Sequence, residues 1–289
     1  MKLAGTYTAI VTPFNKDESV DYGALKQLVA WQIENGVEGL VPVGTTGESP
    51  TLNPPEHLKV IATVVEAAAG KAQIIAGTGA NSTGEAVELT KTALDLGIDA
   101  SLQVTPYYNK PSPEGLYRHF SAVADIGIPV VLYNVPGRAS EEIPISVVKR
   151  LASHPKVVAV KEAGGSVDRV SAIRNVCDLT VVSGDDGLTL PMISVGASGV
   201  ISVASNIIPK EMSTLVRLAL AGDFTKALEM HRTYYQLFSD IFIETNPIPI
   251  KAAMAMKGLI NEIYRLPLCE LSTENRKTLS RTLESTGVI

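Results

Sequence analysis

Lys161 closes the apolar run Val157-Val158-Ala159-Val160, and Glu162-Ala163-Gly164-Gly165 follows it at once. This order puts an amine at the carboxyl end of a buried parallel strand, where the chain turns into a Gly-rich loop. In an α/β barrel, active sites are built at that end of the strands. An amine kept away from water loses its proton more readily, and the neutral form can attack a carbonyl to give a Schiff base. A lone lysine after a strand more often lays its stem over apolar surface and sends its head to water. The other strand ends decide between the two readings.

Four further strand ends deliver polar groups to the same face. They are Gly44-Thr45-Thr46-Gly47-Glu48-Ser49, Thr105-Pro106-Tyr107-Tyr108-Asn109, Tyr133-Asn134-Val135-Pro136-Gly137-Arg138 and Gly184-Asp185-Asp186. Singly, each has a plain reading: a tight turn with Thr hydroxyls on the backbone, a packed tyrosine pair, a solvated cation. Together they form a coherent set for keto-acid chemistry. Tyrosine and threonine hydroxyls both donate and accept, so a Tyr–Thr–Tyr chain can move the protons released and consumed as a carbinolamine dehydrates. Backbone N–H groups of a Gly-rich turn beside a Thr hydroxyl suit a carboxylate. Arg138 offers a planar fork for a second one.

The elements that must position these groups alternate along the chain. Strands are expected over Tyr7–Thr12, Gly39–Val43, Gln73–Ala76, Ala100–Val104, Val130–Tyr133, Val157–Val160, Thr180–Ser183 and Gly199–Val203. Most are continuously apolar or β-branched, as parallel strands covered on both faces are. Helical patterns lie between them, among them Tyr22–Asn35, Pro55–Ala69, Thr83–Leu96 and Pro113–Ala124. Asn53 before Pro54-Pro55-Glu56 reads as a helix cap, and Ser82 with Glu85 reads as a capping box. Eight strand–helix units without a linker predict an α/β fold, a (β/α)8 TIM barrel over residues 1–222. A doubly wound open sheet, which usually carries fewer such units, is the alternative. Helices near Pro209–Ala221, Asp223–Ser239, Pro247–Gly258 and Ser272–Ser285 complete the eighth unit and add a C-terminal helical region over 223–289.

Composition narrows the class. The 289 residues are 45% hydrophobic, 19% charged and 5% aromatic, with a net charge of −5. That sign argues against nucleic acid and anionic membrane surfaces as partners. Light charge suits an oligomer that covers part of its surface. No apolar stretch approaches the roughly 18 residues of a membrane span, and the start Met1-Lys2-Leu3-Ala4-Gly5-Thr6 has no signal-peptide pattern. Cys177 and Cys269 suggest no disulfide, and the four histidines (His57, His119, His154, His231) are scattered. The expectation is a cytoplasmic protein with no metal and no cofactor. Gly77-Thr78-Gly79 and Gly196-Ala197-Ser198-Gly199 are poor phosphate loops, since the second precedes a strand. Met254 and Met256 are expected to pack a helix face, and Asp185-Asp186 to serve structural hydrogen bonding.

Gly44-Thr45-Thr46-Gly47-Glu48, Tyr133-Asn134-Val135-Pro136-Gly137-Arg138 and Lys161-Glu162 resemble the signatures of the class I pyruvate aldolases in the dihydrodipicolinate synthase and N-acetylneuraminate lyase superfamily. The likeness runs from Thr6 to the C-terminal helices. Thr45-Thr46, where sialic-acid lyases usually carry Ser-Thr, points to the dihydrodipicolinate synthase branch. So does the pairing of Tyr107-Tyr108-Asn109 with Arg138 after Tyr133. The resemblance implies a lyase that condenses pyruvate with L-aspartate 4-semialdehyde into 4-hydroxy-tetrahydrodipicolinate, at the head of the diaminopimelate route to lysine. It implies no cofactor and a homotetramer, a dimer of dimers. It makes Lys161 the Schiff-base lysine and Tyr133, Thr45 and Tyr108 the proton relay, with Tyr108 reaching in from a neighbouring subunit. Thr46 then contacts the pyruvate carboxylate and Arg138 that of the aldehyde, while Gly184 and the Ile201 backbone line the pocket.

The family's lysine feedback site maps to Ser49, Pro50, Pro54, His57, Asn81, Glu85 and Tyr107. Feedback-sensitive bacterial members have a small residue at Pro50 and a histidine at Pro54, so the resemblance leaves sensitivity open. A sugar-acid aldolase of the same fold, acting on 2-keto-3-deoxygluconate or N-acetylneuraminate, is the nearest alternative. A non-catalytic keto-acid sensor is a more distant one, since a sensor has no need of Lys161, Tyr133 and Thr45 together.

Overall fold

The computed structural model describes Met1 and residues 3–289. Eight parallel strands close into a barrel in chain order: β1 (Gly5–Thr8), β2 (Gly39–Leu40), β3 (Gln73–Gly77), β4 (Ala100–Val104), β5 (Val130–Asn134), β6 (Val157–Glu162), β7 (Thr180–Ser183) and β8 (Gly199–Ser202). β1 pairs with both β2 and β8, which closes the ring. The helices that follow β1 to β4 are α1 (Tyr22–Glu34), α2 (Pro54–Ala68), α3 (Thr83–Asp95) and α4 (Pro113–Ala124). After β5 come the single turn α5 (Pro136–Ala139) and α6 (Ile145–Leu151); α7 (Val167–Val176), α8 (Thr189–Ser194) and α9 (Pro209–Leu220) follow the last three strands. The chain ends in α10 (Phe224–Asp240), α11 (Ile248–Met256) and α12 (Thr273–Ser285). The expected barrel is therefore the observed one.

Two apolar layers hold it. Inside the ring, Tyr7, Val41, Ile75, Leu102, Val131, Ala159, Val182 and Ile201 fill the barrel. A larger cluster joins the outer faces of the strands to the helices, and Phe14, Phe120, Leu151 and Met254 belong to it. The strands read as continuous apolar runs because both layers draw on them. Met254 is fully buried and Met256 packs beside it, as expected.

Most boundaries fall within a residue of expectation, and the larger differences, in β1, β2 and β6, bear on the site. β1 spans Gly5–Thr8 instead of Tyr7–Thr12. Gly5 donates to Ser198 and thereby joins β8 before the apolar run begins. β2 stops at Leu40. Val41 still donates to Thr8 at 2.7 Å, but Pro42 has no N–H to offer and Val43 turns to φ 50°. That left-handed geometry is costly for a β-branched residue. It swings the chain into Gly44-Thr45-Thr46. β6 runs on to Glu162, so Lys161 lies within the strand, one residue before its end, instead of beyond it.

Asn53 makes the full capping box with Glu56 at the start of α2. Ser82 makes no side-chain cap at α3. Glu85, which a box would turn back toward Ser82, lines a cavity instead. Gly79 needs no ligand to explain it: a Cβ there would stand 2.5 Å from Val104 N. Among the described residues no helix is long and apolar enough to cross a membrane, and no cluster of His, Cys, Asp or Glu could hold a metal ion.

Candidate active site

Register brings the first two groups together. Tyr133 on β5 and Lys161 on β6 are paired positions, and Lys161 is paired in turn with Val182 on β7. Paired residues on neighbouring parallel strands point the same way, here into the barrel. Lys161 is only 6% exposed, and its Nζ lies 4.0 Å from the centre of the Tyr133 ring. The one-residue offset sends Asn134 and Glu162 outward, where both are fully buried.

There Glu162 accepts from Asn134 Nδ2 at 2.9 Å, from Gly164 N at 2.7 Å and from Arg169 Nε at 2.8 Å. Asn134 Oδ1 takes Ile143 N at 2.9 Å, and Arg169 also binds the Ile143 carbonyl. This knot ties the ends of β5 and β6 from outside, directly behind the amine. Burial pushes the Glu162 carboxyl up, and its hydrogen bonds and the Arg169 charge oppose that push.

Lys161 opens into a cavity of about 420 Å³. Thr45, Thr46, Tyr133, Arg138 and Gly184 line it too, so the structure assembles most of the expected set. Gly184 is required by space: a Cβ on it would stand 3.0 Å from Lys161 Cε and 2.7 Å from Ala163 Cβ. Ile201 lies in the barrel interior, and it is Val203, two residues on, that lines the cavity. Asp186 fixes that stretch. Its carboxylate takes Ser202 Oγ at 2.5 Å, Val203 N at 3.1 Å and Ala204 N at 3.0 Å. Burial pushes it up to about 6. The structural reading of Asp185-Asp186 agrees with this.

The Thr45-Thr46 turn is closed by Gly47 N on Gly44 O at 3.1 Å and Glu48 N on Thr45 O at 3.1 Å. Thr45 and Tyr133 both face the cavity, with no hydrogen bond between them among the described residues. Tyr108 stands apart. It is 91% exposed, sits at φ 73° and lines neither this cavity nor the adjoining one.

The adjoining cavity, about 620 Å³, shares Thr45, Tyr133 and Arg138 with the first. Ser49, Pro50, Pro54, His57, Glu85 and Tyr107 line it. Asn81 stands at its edge, donating to the Tyr107 carbonyl at 3.2 Å. His57 binds the Gly77 carbonyl at 2.9 Å, and burial holds its imidazole below its usual range. All seven positions of the expected feedback site are thus neighbours in space.

Sequence reading missed the C-terminal contribution. Phe242, Thr245 and Asn246 line the smaller cavity. Asn246 Nδ2 donates to Thr46 Oγ1 at 3.0 Å, and its carbonyl accepts from Arg138 Nη2 at 3.0 Å. One residue therefore links both proposed carboxylate contacts. Its Oδ1 is buried without a partner among the described residues. Asn246-Pro247-Ile248-Pro249 marks a helix start in the sequence; nothing in it marks a site.

Comparison with known proteins agrees with this geometry. The sequence profile of the dihydrodipicolinate synthetase family matches residues 2–286. A 4-hydroxy-tetrahydrodipicolinate synthase of Methanococcus maripaludis is 50% identical over 289 residues, covering 99% of this chain and 100% of that one. The solved 4-hydroxy-tetrahydrodipicolinate synthase of Methylacidiphilum fumariolicum SolV superposes with a TM-score of 0.97 at 50% identity, covering 99% of this chain and 96% of that one. The dihydrodipicolinate synthase of Acinetobacter baumannii, solved in complex with pyruvate, gives 0.98 at 45% identity with both chains fully covered. With that agreement across its whole length, the chain belongs to the dihydrodipicolinate synthetase family.

Proposed function

We propose that the chain condenses pyruvate with L-aspartate 4-semialdehyde to give 4-hydroxy-tetrahydrodipicolinate, through an imine on Lys161. The observation that carries this reading is the buried Lys161 amine over the Tyr133 ring, opening into a cavity that Thr45, Thr46 and Arg138 also line. Lys161 Nζ attacks the pyruvate carbonyl, and the carbinolamine loses water to form the imine. Loss of a methyl proton gives an enamine, whose carbon joins the aldehyde carbon. The amine of the second substrate then closes the ring and releases the lysine. Tyr133 and Thr45 carry the protons, and Thr46 with its turn receives the pyruvate carboxylate.

Arg138 receives the carboxylate of the aldehyde substrate. Tyr108 completes the relay of a neighbouring subunit in a homotetramer of tight dimers. Its exposure and its absence from the lining of its own chain's two cavities support that reading. The larger cavity corresponds to the family's lysine feedback site, with Ser49, His57, Asn81, Glu85 and Tyr107 around the ligand, and Pro50 and Pro54 line it where feedback-sensitive members differ. Glu85 and Glu88 supply carboxylates for its ammonium groups. Residues 1–222 act as the barrel and 223–289 as the helical region that completes its mouth. The unpaired Cys177 and Cys269 fit a reducing cytoplasm. A coupled assay of condensation with the semialdehyde, run beside cleavage of 2-keto-3-deoxygluconate and N-acetylneuraminate, tests the reading. Turnover with a sugar acid alone would overturn it.

A further inference from the structure

Lys251 and Glu48 form a wholly buried ion pair that the chemistry above does not use. They are 203 positions apart, on α11 and directly after the Thr45-Thr46 turn. Lys251 Nζ also donates to the Thr12 carbonyl at 3.1 Å, while Thr12 Oγ1 donates to the Gly47 carbonyl at 2.7 Å. The Phe14 ring centre lies 4.3 Å from the ammonium and that of Tyr264 5.3 Å away. Glu48 itself is held at φ 55°, a left-handed conformation that a non-glycine residue keeps only when its surroundings impose it. Arg265 N approaches the other Glu48 oxygen at 3.5 Å, and Arg265 Nη1 binds the Thr51 carbonyl at 2.8 Å.

A buried pair of this kind is no general source of stability, because the cost of taking both charges from water offsets their attraction. What it does supply is a fixed position. Helix α11 begins two residues after Asn246, whose side chain holds Thr46. The turn is therefore gripped at Thr46 by Asn246 and at Glu48 by Lys251. Without these grips a Gly-bounded turn has many conformations, and few of them place the Thr45 and Thr46 hydroxyls in the cavity.

We propose that Lys251 and Glu48 are positioning residues which hold the Thr45-Thr46 turn in the geometry that receives the pyruvate carboxylate. This rests on the reading of Thr46 as that contact. The pair touches no substrate and acts only through the turn.

The test is the double variant Lys251→Met/Glu48→Gln, which removes both charges and leaves neither uncompensated. It should retain the fold by circular dichroism and still form the Lys161 adduct with pyruvate and borohydride. The pyruvate concentration for half-maximal rate should rise about tenfold or more, while that for the semialdehyde stays within about twofold. Amide exchange in the peptide over residues 44–52 should quicken. Thr12→Val gives a second route, loosening the same turn by deleting the hydroxyl on Gly47 without touching a charge. It should raise the pyruvate requirement several-fold and spare the semialdehyde, and it decides the matter if the double variant does not fold. Wild-type pyruvate dependence and exchange in a folded double variant, or in Thr12→Val if the double variant does not fold, would overturn the inference. Failure of the wild-type protein to form any pyruvate adduct would instead overturn the reading on which it rests.

Discussion

Tyr133 and Lys161 occupy paired positions on adjacent strands, and the lysine Nζ sits 4.0 Å from the centre of the tyrosine ring. The proposed nucleophile and the first member of its proposed proton relay are thus placed by strand register. Loops need only bring the carboxylate contacts to them.

Borohydride reduction in the presence of pyruvate should add a stable mass to a single peptide, the one that carries Lys161. Lys161→Ala should abolish the label and nearly all turnover. Label on another lysine, or none, would rule out the imine at this site.

Tyr133→Phe keeps the ring beneath Lys161 and deletes only the phenol, and Thr45→Val keeps most of the volume of the threonine. Both should lower kcat by about 10²–10⁴-fold, the usual worth of a positioned proton donor and acceptor, with a smaller change in pyruvate binding. Steady-state kinetics with each substrate varied in turn checks this. Near-normal turnover in both would make the hydroxyls structural.

Arg138→Ala should raise the concentration of semialdehyde required while leaving pyruvate trapping largely intact, because the guanidinium is separate from the amine. Loss of the Asn246 contact would loosen the C-terminal segment, so the variant's melting temperature belongs beside its kinetics. Trapping lost as completely as condensation would remove the assignment.

Mixing inactive Lys161→Ala with inactive Tyr108→Phe subunits should restore part of the activity after dissociation and reassembly, because a hybrid dimer contains one intact site. Simply combining the intact oligomers should restore none. Proven hybrids that remain inactive would return Tyr108 to its own subunit.

His119 on α4 is buried, its Nδ1 paired with Thr83 Oγ1 at 2.9 Å, and burial holds its imidazole down at about 4. Between the unfolded value of 6.5 and about 4 the unfolded chain binds a proton that the folded chain refuses. Stability is therefore full above that window and falls as pH drops through it, by about 1.4 kcal/mol per pH unit for one such group. His57, also held low by burial, adds to the same slope. His119→Phe should make the pH dependence of the urea midpoint shallower between pH 6 and 4.5, a range inside that window. An unchanged slope would mean that another group dominates acid sensitivity.

By itself the sequence determined the barrel and several of the residues that line the candidate site. Strands buried on both faces are written as short apolar runs, and the polar residues that end them, Thr45, Tyr133, Arg138 and Lys161, stand out against those runs. Contacts along the sequence were partly legible: Asn53 caps its helix as expected, and Glu56 completes a capping box with it. What the sequence could not show lies in contacts between distant segments. Asn246 meets Thr46 across 200 positions and Lys251 meets Glu48 across 203, and neither residue differs locally from an ordinary helix-start asparagine or helix lysine. Ser82 carries the same kind of capping pattern as Asn53, yet it makes no side-chain cap and Glu85 lines the larger cavity. Periodicity and local hydrogen bonding are properties of a few neighbouring residues. Which buried charge finds its partner, and which turn is held rigid, is decided only when the closed barrel brings its C-terminal helices over its own mouth.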